Sequence, residues 1–459
     1  MSLEKNSLKI ETIVNQESSV DNLSDQDDVK KESKWQRFIK FIEVQPMGDL
    51  TTSQLFLYNH DLKPVEKARR TWKWYNYVSF WIADSFNINT WQIAATYFAV
   101  GGGFGLMIWA LVRSHGLGDV LNRPNGVQGS ALAWAFVQST LNALSNFATL
   151  ISNSPDFSRF AYSQNSFAMK YLVHTISIPV CFGITSLIGI LVTAAAEHEY
   201  GTTYWSPIDV MAKYLESFTP GIRAAIFFIA LSFIVAQLGT NISANSLSFS
   251  TDVSAVAARF INIRRGSYIC LALALPICPW KLLSSSSTFT TYLSAYSVFL
   301  SSIIGVMACD YYYVRRGFIN LPDLYSLRSP TDKSKLSLYA YNKYGVNWRA
   351  VVAYICGILP NMVGFVGATG HKVPIGATYV YRINFFAGFF SSFIVYAVLY
   401  YLFPFDTGIP KLKPFEKGWF EETHDVENFE EEVFGHELVG IERYENDDEM
   451  SLYQRKEKV

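Results

Sequence analysis

Charge is scarce through the middle of this 459-residue chain. Residues 78–403 hold 30 Asp, Glu, Lys and Arg in 326 positions, about 9%. A soluble domain carries about a quarter, so this stretch is not one. Cysteine is sparse as well. Cys181, Cys270, Cys278, Cys309 and Cys356 lie within or beside apolar runs and form no CxxC pair, which argues against a zinc site or a disulfide framework. Neither sign of charge predominates: 38 Lys and Arg against 39 Asp and Glu offer no basic surface for a nucleic acid. The first 34 residues are polar and have no apolar h-region, so no secretory leader is read there. HExxH, GxSxG, Walker and HxE…PCxxC patterns are all absent. The GGGFG run at 101–105 lacks the βαβ setting of a dinucleotide site. The seven histidines show no ligand spacing, and His174 inside an apolar run reads as a packed side chain before a proton relay. Nothing supports an enzyme or a bound metal.

What is present is long apolar runs between two charged tails. Residues 1–77 and 404–459 together hold 47 of the 77 charges. The first reads as a cytosolic tail whose composition fits disorder to about Lys34, and the second as an acidic cytosolic tail. Trp35–Ile42 (WQRFIKFI) fits either an amphipathic surface helix or a segment capping the membrane body. A spanning helix needs roughly 20 apolar residues, and eight runs qualify: 78–112, 132–152, 171–196, 222–247, 266–282, 288–312, 349–368 and 383–403. The first is too long. As one helix it would extend roughly 50 Å across a core of about 30 Å, and Gly101-Gly102-Gly103 falls inside it. It is expected to be broken, tilted, or partly outside the bilayer.

Basic residues orient the spans. With the N-terminal tail inside, the inner loops hold 12 Lys and Arg and the outer loops 7, and the tail adds 12 more inside. Both termini are therefore expected in the cytoplasm, as an even number of crossings requires.

Three runs carry polar residues at membrane depth: FWIADSFNINTW (Asp84, Asn87, Asn89, Thr90), LSNFATLISNSPDF (Asn146, Asn153, Pro155) and AQLGTNISANS (Gln237, Gly239, Thr240, Asn241, Ser243, Asn245). Such groups are costly in hydrocarbon unless they face protein or a water-filled cavity. Broken helices free backbone carbonyls for a cation, while half-helix N-termini face polar substrate groups. Ser, Thr and Asn also join membrane helices, so any single Asn fits packing as well as a site, and Asn153 and Pro155 also fit a span end. The density from Thr240 to Asn245 points to a site. Asp84, the one carboxylate well inside a span, is either functional or hydrogen-bonded to amides freed at a helix break.

The segments DLKPVEKARRTWKWYNYVSFWIADSFNINTWQIAAT, SNFATLISNSPDFSRF, AQLGTNISANSLSFSTDVSA, SAYSVFLSSIIGVMACDYYYVRRGFINL and NWRAVVAYICGILPNMVGF resemble the fungal branch of the nucleobase–cation symporter family, which includes uracil, allantoin and uridine permeases. The resemblance runs from about Tyr58 to Phe420. It implies two inverted five-helix repeats followed by two further helices, with substrate and cation at the midplane. It implies that Asn245 hydrogen-bonds the substrate ring, an amide offering a donor and an acceptor to an imide or ureide edge. It implies that Phe147 stacks on the ring and that Asn87 lies beside the break of the first helix. The carbonyls of Ala83 and Phe86, with Ala236, Gly239 and the Thr240 hydroxyl, match the family's cation site. Gly239 replaces a hydroxyl of the sodium-coupled relatives, which favours protons as the coupling ion; Asp84 is the residue for a proton link. No cofactor is implied.

One departure follows from the resemblance. After WQIAAT the family continues through three more helices before a stretch like GFGLMIWALVRSHG, which here begins near Gly101. The second, third and fourth helices are missing by this reading, and the first and fifth are fused into 78–112. The expected fold is thus an all-α polytopic membrane protein, an incomplete inverted-repeat (5+5 helix) symporter with eight spans. The third helix would supply a Trp and a Gln to the substrate; neither has a match here. Two functions are therefore expected in contention. One is proton-coupled uptake of uracil, allantoin or uridine at the plasma membrane. The other is a non-transporting paralogue, splice form or gene-model product, acting through a full-length permease or not at all.

Overall fold

Two of the chain's Ser/Thr–Pro pairs, Ser206-Pro207 and Thr219-Pro220, each start a helix. The Ser206 and Thr219 side chains accept from the Ile208 and Ile222 amides, while a proline at the first position has no N–H to leave unpaired. Asn262 caps the following helix, accepting from the Arg265 amide at 2.9 Å. Gly201 closes the helix before them in the left-handed conformation, φ 72°, which glycine adopts without penalty. The computed structural model carrying these caps describes residues 43–44, 50, 52–59, 61–66, 69–86, 92–118, 126–146, 148–162, 173, 175–204, 206–278, 286–342, 344–409 and 429–434. The chain divides into two units, Met1–Gln45 and Pro46–Val459, and every described helix belongs to the second.

Among the described residues there is no strand, only isolated bridges such as Trp72–Ala161. The longer helices are α1 (Trp74–Phe86), α2 (Gln92–Arg113), α3 (Ser130–Asn146), α4 (Ala148–Ser158), α5 (Ser177–Tyr200), α6 (Pro207–Leu215), α7 (Pro220–Thr240), α8 (Leu247–Val256), α9 (Ile263–Ile277), α10 (Ser286–Ala308), α11 (Trp348–Ala368), α12 (Ile375–Arg382) and α13 (Asn384–Leu402). Two π-helical turns interrupt them, Asn241–Ser246 between α7 and α8, and Cys309–Val314 after α10.

Five described segments are long and apolar enough to cross a membrane: 177–200, 220–256, 295–314, 348–368 and 384–402, with Gly101–Arg113 a shorter apolar helix. The remaining expected spans appear in pieces. The overlong 78–112 run falls into α1 and α2 on either side of 87–91, which lie outside the described residues. The 132–152 run is described as α3 and α4, with residue 147 between them outside the described residues. The 266–282 run gives a 15-residue helix, α9. The fourth run extends beyond the expected 247 to 256. Its polar stretch is accommodated by a π turn, so the helix does not end there.

Two groups of helices emerge. In one, α2 packs on α5 and α7, α1 packs on α2, α5 and α7, and α6 joins α5 and α7. Its core is Leu106, Ala110, Ile188, Val192, Ala195 and Tyr214. In the other, α10, α11 and α13 touch one another, with α3 against α10 and α12 against α11. The helix α4 touches both α8 and α10. A segment of the N-terminal tail, Thr52–Leu57, packs on α8. The turn Phe429–Phe434 of the C-terminal tail buries Phe429 and Val433 against Tyr58, whose hydroxyl donates to Glu430 Oε1 at 2.6 Å. Trp35–Ile42, the tail to Lys34 and His174 lie outside the described residues.

Candidate functional site

The residues matched to a cation site sit at two helix ends. Ala83 and Phe86 lie in the last turn of α1, where the final four carbonyls have no intrahelical partner. Ala236 and Gly239 are buried in the last turn of α7, and α1 packs on α7. The two halves of the set are therefore on touching helices. Thr240 closes α7. The side chains of Thr240, Asp84 and Phe86 lie outside the described residues, and Asn87, Asn89 and Thr90 lie outside them altogether.

At the π turn the pitch widens, and three amides line up four residues apart. The Asn241 side-chain amide donates to the Gln237 carbonyl at 2.9 Å and to Gln237 Oε1 at 3.4 Å. Asn245 Nδ2 donates to Asn241 Oδ1 at 2.9 Å. All three residues are exposed, while Ala244 beside them is buried. Among the described residues nothing donates to Asn245 Oδ1. The expected stacking residue, Phe147, lies outside the described residues, between the end of α3 and the start of α4. The structure brings α4 onto α8, one turn beyond Asn245.

That contact contains groups the sequence reading did not single out. Thr251 of α8, 3% exposed, donates to Asp156 Oδ2 of α4 at 3.2 Å. The same hydroxyl lies 2.8 Å from the Ser248 carbonyl. Asn153 of α4 in turn hydrogen-bonds Asp252 of α8. Burial raises the Asp156 carboxyl above the usual aspartate range, and Asp252 adds to this, while Thr251 and Arg159 oppose it. Arg159 ties the pair to the N-terminal tail, with Nη2 donating to the Asp61 carbonyl at 3.0 Å. Asp61 Oδ2 also accepts from the Ile263 amide that opens α9. A signal was available: SNSPDF and FSTDV each place an aspartate just past an apolar run. Among the described residues no His, Cys, Asp and Glu group could hold a metal ion.

The sequence profile described as permease for cytosine/purines, uracil, thiamine, allantoin matches residues 64–102 and 99–388, two pieces that meet at the Gly101 region. Uridine permease of Saccharomyces cerevisiae is 35% identical over 578 residues, covering 91% of this chain and 89% of that protein. Uracil permease of the same yeast is 38% identical, covering 82% and 81%, and its allantoin permease is 36% identical, covering 84% and 82%. The 91% is about 418 residues set in a 578-residue alignment, so about 160 positions of that relative have no counterpart here. Among solved structures, the inward-facing conformation of Mhp1 matches with a TM-score of 0.50 at 19% identity, over 71% of this chain and 65% of that one, a likeness of fold. Similarity of this extent makes the chain an integral membrane protein of all-α transporter fold: it belongs to the family of permeases for cytosine/purines, uracil, thiamine and allantoin.

Proposed function

We propose that this chain is a proton-coupled permease that takes up uracil, or the related allantoin or uridine, across the plasma membrane, with both termini in the cytoplasm. The observation that carries this reading is the π turn at Asn241–Ser246. It presents Asn245 as a donor and acceptor beside the buried Ala236 and Gly239, in a chain whose relatives include uracil, uridine and allantoin permeases. Asn245 would read the ring edge, Phe147 would stack on the ring, and Asn87 would line the break after α1. Ala83, Phe86, Ala236, Gly239 and Thr240 would hold the coupling ion. A glycine at 239 supplies no hydroxyl to a sodium ion, which favours a proton.

A second reading has its own observation. About 160 positions of the uridine permease lack a counterpart, and only 6% of the apolar window in 220–256 is buried, against 44% in 295–314. A chain without the helices that cover this face would act through a full-length permease, or would not transport. Sequencing the transcript across the codons for Thr96 to Gly103 separates a real junction from a misassigned exon. Uptake of radiolabelled uracil by permease-null yeast then decides between the readings. The permease reading expects saturable uptake that collapses with the proton gradient and is abolished by Asn245→Ala but not by Asn146→Ala. Background uptake with the chain at the plasma membrane would sink it.

A further inference from the structure

We propose that Asp156 is a proton-binding carboxyl of this chain, additional to Asp84, acting as an acid that donates to Thr251 while Thr251 donates to the Ser248 carbonyl. The inference rests on the permease reading for its purpose, but its geometry stands alone. Thr251 has one hydroxyl proton and two acceptors in reach, Asp156 Oδ2 at 3.2 Å and the Ser248 carbonyl at 2.8 Å. When Asp156 is ionised, both acceptors compete for that proton, and the carbonyl is the nearer. When Asp156 is protonated, the conflict disappears: the acid donates to the Thr251 oxygen, and the hydroxyl is free to serve the carbonyl. A hydroxyl can donate once and accept twice, so the protonated state satisfies all three groups.

The surroundings favour the same protonated state. Thr251 is 3% exposed and Asp156 is half-buried, and a carboxylate drawn partly out of water without full hydrogen bonding is disfavoured. Asp252 on α8 is a second negative charge facing Asp156, and Arg159 on the same side of α4 is the opposing positive one. Arg159 is itself shared with Asp61 and Tyr325, so its charge is not dedicated to Asp156. Burial of the carboxyl acts in the same direction as Asp252.

The place in the fold gives the proton a use. Asp156 and Thr251 join α4 to α8, and these helices flank the expected ring-stacking Phe147 and the Asn241–Ser246 turn. The Asp156–Thr251 bond is therefore a proton-dependent clasp between two elements of the candidate site. The chemistry is simple. An O–H bond forms on Asp156 with a proton taken from water, the Thr251 hydroxyl turns to the Ser248 carbonyl, and the reverse step returns the proton to water.

Infrared difference spectroscopy on the full chain in nanodiscs tests this without any substrate. As the pH is lowered the wild type should gain a protonated carboxyl stretch whose midpoint lies above that of an ordinary aspartate. Asp156→Asn should remove it, and Asp252→Asn should keep it while lowering its midpoint. A difference spectrum between wild type and Asp156→Asn with no carboxyl band overturns the proposal. Asparagine can donate to Thr251 as the acid does, so the variant is expected to fold. Should it not, Thr251→Val must move the midpoint of the wild-type band, and an unmoved midpoint overturns the proposal equally. Uptake is a separate arm. Where the wild type accumulates uracil, Asp156→Asn should equilibrate it, with the inside concentration rising no higher than outside. Proton-driven accumulation by Asp156→Asn would contradict the assignment. A wild type that does not transport refutes the permease reading alone, and leaves the spectroscopic result to judge Asp156.

Discussion

The trio α10, α11 and α13 and the run from α7 to α9 are built from similar residues and end in opposite conditions. In the trio, small and polar residues let backbones meet. Ser297, Ser301, Ser302 and Ser392 are fully buried, and a Cβ placed on Gly357 would stand 2.6 Å from Ser302 Oγ. Asn361, fully buried, donates to the Asn384 carbonyl at 2.9 Å. In the other region Phe228, Ile234, Leu238 and Ile242 are more than half exposed, and so are Leu271 and Ile277 of α9. The polar residues there, Gln237, Asn241 and Asn245, bond along their own helix. One neighbour of α7 is in place: Gly102 of α2 would meet Ser232 through an added Cβ at 2.7 Å. The difference is in the partners rather than in the composition. Apolar faces toward lipid are stable, since lipid is as apolar as leucine, but amides gain only when another helix answers them.

The contrast can be broken most forcefully at the end of the trio. Arg315 is 1% exposed, and its Nε bonds Asp310 Oδ2 at 2.9 Å, while the Tyr396 hydroxyl donates to Asp310 Oδ1 at 2.8 Å. Removing one partner of a buried pair costs about 3–5 kcal/mol, so Asp310→Ala should abolish monodisperse protein in size-exclusion chromatography. Next in size is Gly357→Leu, which overpacks the Ser302 contact by about 1–3 kcal/mol and should lower the thermal midpoint in detergent. Tyr58→Phe should cost about 1 kcal/mol by losing the bond to Glu430, read as faster proteolysis of the C-terminal tail. Asp156 gives a pH effect of known sign. Its folded value lies above its unfolded one, so the folded state holds the extra proton, and stability falls as pH rises through that value; Asp156→Asn should flatten this slope in denaturation across pH. Smallest of all, Leu238→Ala should change stability by less than about 0.5 kcal/mol, since it is more than half exposed. A loss as large as that of Gly357→Leu would show that the α7–α9 face has a partner.

Much of this was legible from the residues. The apolar runs at 171–196, 222–247, 288–312, 349–368 and 383–403 anticipated the membrane-length segments 177–200, 220–256, 295–314, 348–368 and 384–402. The Gly triplet of 78–112 did not mark a helix end: Gly101, Gly102 and Gly103 lie within the continuous helix α2. The π turn was not legible: the same AQLGTNISANS stretch fits a helix end, and only the register of the backbone separates the two. Nor were the cross-chain bonds. Asp156 meets Thr251 across 95 positions, Tyr396 meets Asp310 across 86 and Tyr58 meets Glu430 across 372. Periodicity reports which face a residue occupies, not which distant side chain faces it. The docked turn Phe429–Phe434 lies in a tail whose charge alone suggests solvent.

The comparison of regions converges on whether the α7–α8 turn still holds a ring when its covering helices are few. Scintillation-proximity binding of labelled uracil to the purified, nanodisc-embedded chain measures this without requiring transport. Saturable binding that unlabelled uracil displaces, and that Asn245→Ala removes, is the predicted result. Binding at background in the folded wild-type chain, or binding unchanged by Asn245→Ala, would contradict it.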